Sequence, residues 1–369
     1  MKINIIELFG GIGAATEALK RLNFNVEVVD YVEIDKFAVA SYNAINSEHF
    51  EPQDITKWDK ELKADLIMHG SPCQDFSAAG LNMGGDESLS TRSSLLYQSL
   101  RIIAKVKPKY VIWENVKNVL CKKHKPNFDK YIQKMSDLGY SNYYQVLNAK
   151  NYEIPQNRER VFVVSILGNR AFNFPKKKPL KFTYKDFLQD NPNAKFYYNQ
   201  NSKIFNTLNK YIKNGNLYEY STRRTPPVRE FKNRLTHTLT ASMGMAGNKI
   251  PIFKVDEKYH LTEQQHKNRQ NSTYMITKKE LIKKDIISTQ TARQYKGGQY
   301  FKNDNLYRKL TPLECWRLMG FSDESFFKAA AVNSDTQLYK QAGNSIVVNV
   351  LMAIFEQLFL KKNFKETLF

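Results

Sequence analysis

The stretch Ile3-Asn4-Ile5-Ile6-Glu7-Leu8-Phe9-Gly10-Gly11-Ile12-Gly13 decides the fold class. Its apolar, isoleucine-rich run reads as a buried strand, the glycines as a turn, and Ala14 to Leu22 as a helix. A glycine turn between strand and helix leaves helix N–H groups open to an anionic group and lets a ligand approach the backbone. The same alternation continues outward. Asn25 to Asp30, Asp65 to His69, Tyr110 to Trp113 and Arg160 to Ile166 read as strands; Lys36 to Asn43 and Leu95 to Lys105 read as helices. Strands alternating with helices specify an α/β, doubly wound, mostly parallel sheet, whose ligands bind at the carboxyl ends of the strands.

Near Phe172-Asn173-Phe174-Pro175 the texture changes. Lys176-Lys177-Lys178-Pro179 reads as a linker, and Phe172 to about Asn305 as a separate, irregular, β-leaning region. Regular order returns at Leu310, and the apolar segment Ile346 to Phe359 is placed to rejoin the first sheet.

Composition narrows the function. The 369 residues are 42% hydrophobic and 25% charged, enough for a sizeable core and unlike a disordered or collagenous chain. No apolar run reaches the ~18–20 residues of a membrane span, and the N-terminus is too short for a signal-peptide core. Cys73, Cys121 and Cys315 lie far apart, which excludes a cysteine zinc site or disulfide framework and suits a reducing cytoplasm. The net charge is +20, and residues 171–300 carry 25 basic against 9 acidic residues, or +16 of it. A basic field confined to one region suits a polyanion, nucleic acid first.

Five motifs carry chemistry. Glu33 stands 20 residues beyond Gly13, where an acidic residue at the end of the second strand can hold ribose hydroxyls. Thr16 occupies the place of the third glycine in the dinucleotide fingerprint. Asp54-Ile55 falls near the end of the expected third strand, where it could read an adenine edge. Gly70-Ser71-Pro72-Cys73-Gln74-Asp75-Phe76-Ser77 puts a cysteine in a strand-end loop, better placed for a thiolate's chemistry than for packing, and the loop from Ala78 to Arg92 could close over a substrate. Glu114-Asn115-Val116 puts a carboxylate at a strand end, suited to a general acid. Gln156-Asn157-Arg158-Glu159-Arg160 sets two arginines before another strand, available to phosphate or carbonyl oxygens. No metal-ligand cluster is evident.

Taken in order, these motifs resemble the DNA (cytosine-5)-methyltransferase family of bacterial and phage restriction-modification systems. Arg308 to Phe321 and Gln341-Ala342-Gly343-Asn344-Ser345-Ile346-Val347-Val348 resemble two further family blocks. Glu7, where the family usually has Asp, and Ile34, where an aromatic residue often meets adenine, are small departures. The resemblance implies a fold of the S-adenosylmethionine-dependent methyltransferase type. Residues 1–171 with 341–369 would form the catalytic, cofactor-binding domain and 172–340 a smaller target-recognition domain, with about 308–325 packing the two together.

It also implies a mechanism. Cys73 would add to carbon 6 of a flipped-out cytosine, Glu114 would act at ring nitrogen 3, Arg160 would hold the base carbonyl, and Arg158 would support the closed loop or a phosphate. S-adenosyl-L-methionine would lie against Phe9, Gly10, Gly11, Ile12 and Gly13, with Glu33 and Ile34 at the ribose and adenine, Asp54 and Ile55 at the adenine, and Pro72, Asn344 and Ser345 nearby. Gln74, Ser77, Arg92, Arg223 and Arg224 would contact double-stranded DNA. A monomer is implied, with functional but not physical pairing to a restriction endonuclease. A tRNA cytosine methyltransferase, an NAD-dependent oxidoreductase and a silent DNA-binding regulator are the competing classes. The large basic region and the Pro-Cys, Glu and Arg set weigh against each in turn.

Overall fold

The computed structural model describes residues 1–72, 95–190, 192–222, 224–232, 235–243, 249–255 and 306–360. Its larger unit begins with β1 (Lys2–Leu8), α1 (Ala14–Arg21), β2 (Asn25–Val32), α2 (Lys36–Asn46) and β3 (Leu66–His69). It continues with α3 (Leu95–Val106), β4 (Tyr110–Val116), α4 (Lys125–Asp137), β5 (Tyr140–Asn148), the two-residue β6 (Gln156–Asn157) and β7 (Glu159–Leu167).

Six of these strands form one sheet in the order β2-β1-β3-β4-β7-β5. Side chains alternate across it, because successive residues of a strand face opposite sides. Ile3 and Ile5 of β1, Leu66 and Met68 of β3, Ile112 of β4 and Phe162, Val164 and Ile166 of β7 enter one core. Ile6 and Leu8, Ile67, Val111 and Trp113, and Val161 and Val163 enter the other, beneath α3 and α4. Burial on both faces explains the continuous apolar runs.

Strands β1 to β4 are parallel, as expected, but β7 runs antiparallel to both β4 and β5. The sequence reading does not resolve α4 or β5. Tyr144 and Gln145 of β5 are exposed at the sheet edge, so that strand lacks an apolar run, and the short passage from β5 to β7 folds them back on each other.

The smaller unit contains α5 (Lys203–Tyr211), β8 (Leu217–Tyr220), β9 (Val228–Phe231), β10 (Thr236–His237), β11 (Ile252–Lys254) and β12 (Tyr307–Lys309). Its sheet, β12-β11-β8-β9, is antiparallel and packs on α5 through Phe205, Leu208, Tyr218, Val228, Ile252 and Tyr307. Strand β10 leaves that sheet and pairs with β6, bringing this unit to the motif around Arg158.

The chain returns through α6 (Pro312–Arg317), α7 (Asp323–Ala330), α8 (Asp335–Asn344) and α9 (Val348–Phe355). Buried Arg308 makes a two-pronged pair with Glu314, at 2.8 and 2.7 Å, tying β12 to α6. From there the contacts belong to the larger unit: Arg21 donates to the Gly320 carbonyl, Ser325 to Glu17, and Asn333 to Ser41. On these contacts we place the return near Leu310 rather than at 341. By length and hydropathy Asp335–Leu360 passes as a membrane span, against the sequence expectation. Its apolar residues Leu338, Ala342, Val348, Leu351, Ile354 and Phe355 are spent on the core, and Ser345 to Val347 interrupts its helix.

Candidate active site

The sheet order reverses at β1 and β3, and the site grows from the carboxyl ends of the strands around that point. Beyond β1 the backbone turns through Phe9, Gly11 and Gly13 at positive φ of 55°, 56° and 80°. A Cβ on Gly10 would collide with the Tyr31 ring and one on Gly13 with the Tyr42 ring, whereas one on Gly11 would meet nothing within 4 Å. Gly11 therefore presents bare backbone to the crevice. Glu33, just past β2, accepts from the Gly11 amide at 3.1 Å and from the Asp35 amide at 2.9 Å. Burial raises its carboxyl pKa, a tendency those amide hydrogen bonds oppose.

Ile34 beside it is 69% exposed, an apolar surface at the mouth. Gln53 donates to the Glu33 carbonyl, which brings Asp54 and Ile55 alongside. Asp54 caps a short helical turn by accepting from the amide and hydroxyl of Thr56. Two expectations change here. Ile12 and Ile55 turn their side chains into the two cores, so only their backbone can face a ligand.

Thr16 and Glu7 account for the missing glycine. Buried Glu7 accepts from both the amide and the hydroxyl of Thr16, binding β1 to α1 under the loop. Desolvation raises the Glu7 carboxyl from 4.5 to about 7, against the lowering effect of Thr16, Tyr42 and Lys20. The native state thus holds a proton that the unfolded chain releases near pH 4.5, so this residue favours folding at low pH and loses that contribution as pH rises to about 7. Glu7→Gln keeps an acceptor for Thr16 and removes the charge. We expect it to stabilise by about 2 kcal/mol at pH 8.5 and by little at pH 5. Denaturant unfolding at the two pH values checks this, and equal shifts at both would contradict it.

At the other end of the crevice, β4 extends past Trp113 and carries Glu114 and Asn115. Glu114 is 8% exposed, and the Arg160 Nε lies 3.2 Å from its Oε1. Desolvation raises the Glu114 pKa, and the charges of Arg160 and Arg158 pull against it. Ser71 fastens the loop that leads to Cys73: its hydroxyl accepts from Trp113 Nε1 and Asn115 Nδ2, and its carbonyl also accepts from Asn115. A Cβ on Gly70 would lie 3.8 Å from Glu114 Oε2, so this loop runs directly beside the carboxyl. A small cavity here is lined by Glu114, Arg158, Arg160, Phe162, Ile346 and Val350, among others.

Arg158 departs from expectation. It is buried and donates to the carbonyls of Leu239, Gly343 and Ser345, so the phosphate role gives way to that of a clamp between the smaller unit and the 343–345 turn. Gln156, wholly buried, works beside it, accepting from the Leu239 amide and donating to the Leu318 carbonyl. Asn344 is exposed at the end of α8, and Ser345 is buried next to it. Arg224, expected on DNA, pairs with Glu219 at 3.0 Å within the smaller unit. Cys73, Gln74, Ser77, Arg92 and Arg223 lie outside the described residues, as does the loop from Ala78 to Arg92.

The sequence profile described as C-5 cytosine-specific DNA methylase matches residues 3–360. The chain belongs to this family. It is 31% identical to the Type II methyltransferase M2.ScrFI of Lactococcus lactis subsp. cremoris, over 97% of this chain and 99% of that one. It is equally 31% identical to the orphan methyltransferase M.SPRI of Bacillus phage SPR, over 97% of each. Among solved structures, the Entamoeba histolytica methyltransferase EhMeth superposes with a TM-score of 0.67 at 18% identity, covering 98% of this chain and all of that one. The S. pombe Dnmt2 methyltransferase gives 0.61 at 18% identity over the same shares. These two likenesses establish the shared fold.

The protein is thus a DNA cytosine-5 methyltransferase that uses S-adenosyl-L-methionine. Several residues that build this methyltransferase's site escaped sequence reasoning. Tyr31 and Gln156 give no local sign of their role, because each bonds a backbone group brought near by folding, and Ser71 meets the side chains of Trp113 and Asn115 only in the folded chain. Asn115 was visible only as the neighbour of Glu114, and Gly343 only as part of a motif.

Proposed function

We propose that this enzyme methylates a cytosine flipped out of duplex DNA, through a covalent adduct between Cys73 and carbon 6. The observation that supports it is the meeting of Glu114 and Arg160 beside the Gly70–Pro72 loop that delivers Cys73. Carbon 5 of cytosine is a poor nucleophile, and a base stacked in a duplex cannot be attacked edge-on, so extrusion comes first. The Cys73 thiolate then forms a bond to carbon 6, and the ring electrons displaced by it pass to nitrogen 3, which takes a proton from Glu114. The raised pKa of Glu114 keeps that proton available, and Arg160 holds the base carbonyl as charge develops. When bound, the cofactor would supply an electrophilic methyl group to carbon 5 of the resulting enamine, its sulfur–methyl bond breaking to leave the neutral thioether S-adenosylhomocysteine. Loss of the carbon-5 proton to a base, expulsion of the thiolate and return of the nitrogen-3 proton to Glu114 restore the aromatic ring.

The cofactor's methionine part would lie along Phe9, Gly11 and Gly13, its ribose hydroxyls on Glu33, and its adenine between Ile34 and the backbone of Asp54 and Ile55. Pro72, Asn344 and Ser345 would close that side, and Arg158 would position the 343–345 turn. We read the enzyme as a monomer that modifies one strand at a time, paired functionally with an endonuclease where one is present. Transfer of label from S-adenosylmethionine to duplex DNA, tRNA or neither tests the reading, and label in tRNA alone would overturn it.

The basic region makes a further prediction. Each neutralised phosphate contributes a slope of about −0.9 to log affinity against log salt. With roughly 4–8 contacts, the slope should be about −4 to −7. Arg223→Glu then reports on phosphate contact, whereas Arg224→Glu also breaks the Glu219 pair and mixes two effects. A slope near zero would reduce the excess charge to a solvated surface.

A further inference from the structure

The loop that would hold the cofactor rests on two stacked tyrosines. The rings of Tyr31 and Tyr42 lie 3.8 Å apart at 21°, Tyr31 under Gly10 and Tyr42 under Gly13. Gly10 and Gly13 are therefore seated on an aromatic floor that admits no Cβ, while Gly11 between them stays open. The Tyr31 hydroxyl donates to the Gly11 carbonyl at 2.5 Å. The Gly11 amide donates to Glu33. Tyr31 lies next to the end of β2, and Glu33 is the first residue past it. The two ends of Gly11 are thus gripped by two side chains from one short segment of chain.

We propose that Tyr31 is a positioning residue for cofactor binding: through Gly11 it fixes the loop backbone and the carboxylate orientation of Glu33. Burial, together with the charges of Glu33 and Glu7, keeps the phenol protonated and therefore a donor. Without that donor the Gly11 peptide, which has positive φ and open space on its outer face, is free to turn, and Glu33 loses the amide that aims it. This rests on reading the Glu33 pocket as the cofactor site, and the experiment separates the two ideas.

Titrate S-adenosylmethionine calorimetrically into the full-length protein, its Tyr31→Phe and Glu33→Gln variants, and the double variant. Phenylalanine keeps the stack on Tyr42 and removes only the hydroxyl. Tyr31→Phe should raise the cofactor Kd about five- to tenfold, the size of one lost hydrogen bond, and Glu33→Gln should raise it more. KM for the cofactor should follow in Tyr31→Phe, with kcat falling less than about twofold and KM for DNA unchanged. Because both side chains act on one peptide, the double variant should lose less than the product of the single effects. A Tyr31→Phe Kd equal to that of the parent, with Glu33→Gln weakened, overturns the inference and leaves the site in place. An unaltered Kd in Glu33→Gln overturns both. Effects that multiply fully, or a Tyr31→Phe loss shared equally by Tm, DNA KM and kcat, also overturn it, because Tyr31 would then act alone or only as core.

Discussion

Replacing Cys73 with alanine should abolish methyl transfer, by on the order of 10⁴-fold or more, and leave folding and duplex binding intact. The size follows from the chemistry. Without addition at carbon 6, carbon 5 has no enamine to draw on, and neither Glu114 nor Arg160 can supply one. The retained binding follows from the architecture, since Ser71 holds the root of that loop through Trp113 and Asn115, and the smaller unit has its own core. Labelled-methyl incorporation and a DNA-binding titration on the same preparation measure the two halves. Turnover above a thousandth of the parent's would end the covalent reading. A companion experiment places 5-fluorocytosine in the target. Fluorine cannot leave as a proton does, so the adduct should survive a denaturing gel with the parent and be absent with Cys73→Ala.

Among the glycines of the described residues, Gly343 should be the most damaging to replace with alanine. Its Cβ would overlap the Thr240 carbonyl and the Ala241 amide nitrogen. These are backbone atoms, which no rotamer change can move aside. To admit the methyl group, the 240–241 segment must part from the end of α8. That motion also strains the Arg158 bonds to Leu239, Gly343 and Ser345. We expect a loss of about 3 kcal/mol or more, beyond ordinary overpacking because the obstacle is main chain. The Tm should fall by roughly 4 °C or more. Because Ser345 borders the proposed cofactor pocket, cofactor affinity should fall as well. A Tm within a degree of the parent's would show that the two segments part freely, and would remove Arg158 from its role as a clamp.

What could be read ahead of the structure follows from the range of the forces involved. The strands β1, β3, β4 and β7 announced themselves because both faces of the sheet are buried there, which leaves apolar runs. Strand β5 did not, since Tyr144 and Gln145 face outward at the edge. The positions of Glu33 and Glu114 were legible for a similar local reason: each follows a recognisable strand, and strand ends are where such folds place their chemistry. Arg158 and Arg224 take partners that the sequence could not show, for the opposite reason. A guanidinium takes the nearest acceptors that folding offers, here three carbonyls in one case and Glu219 in the other, and sequence spacing says nothing about those. Ile12 and Ile55 belong to motifs legible along the chain, but which way their side chains turn depends on cores assembled from distant segments.

The amino-acid sequence by itself determined the α/β class, the basic second region, and the identity and order of the motifs from which the cofactor and cytosine sites are proposed. Those depend on local periodicity, charge and motif order, which are properties of contiguous residues. Only the tertiary structure decided that β7 runs antiparallel, that residues from about 310 onward rejoin the larger unit, and that Arg158 is a clamp. It alone brought Tyr31 beneath Gly10 and Thr240 against Gly343. Each of these is a contact between segments far apart in the chain, made by close packing and by the need of buried donors and acceptors for partners, and neither requirement leaves a mark on the intervening sequence.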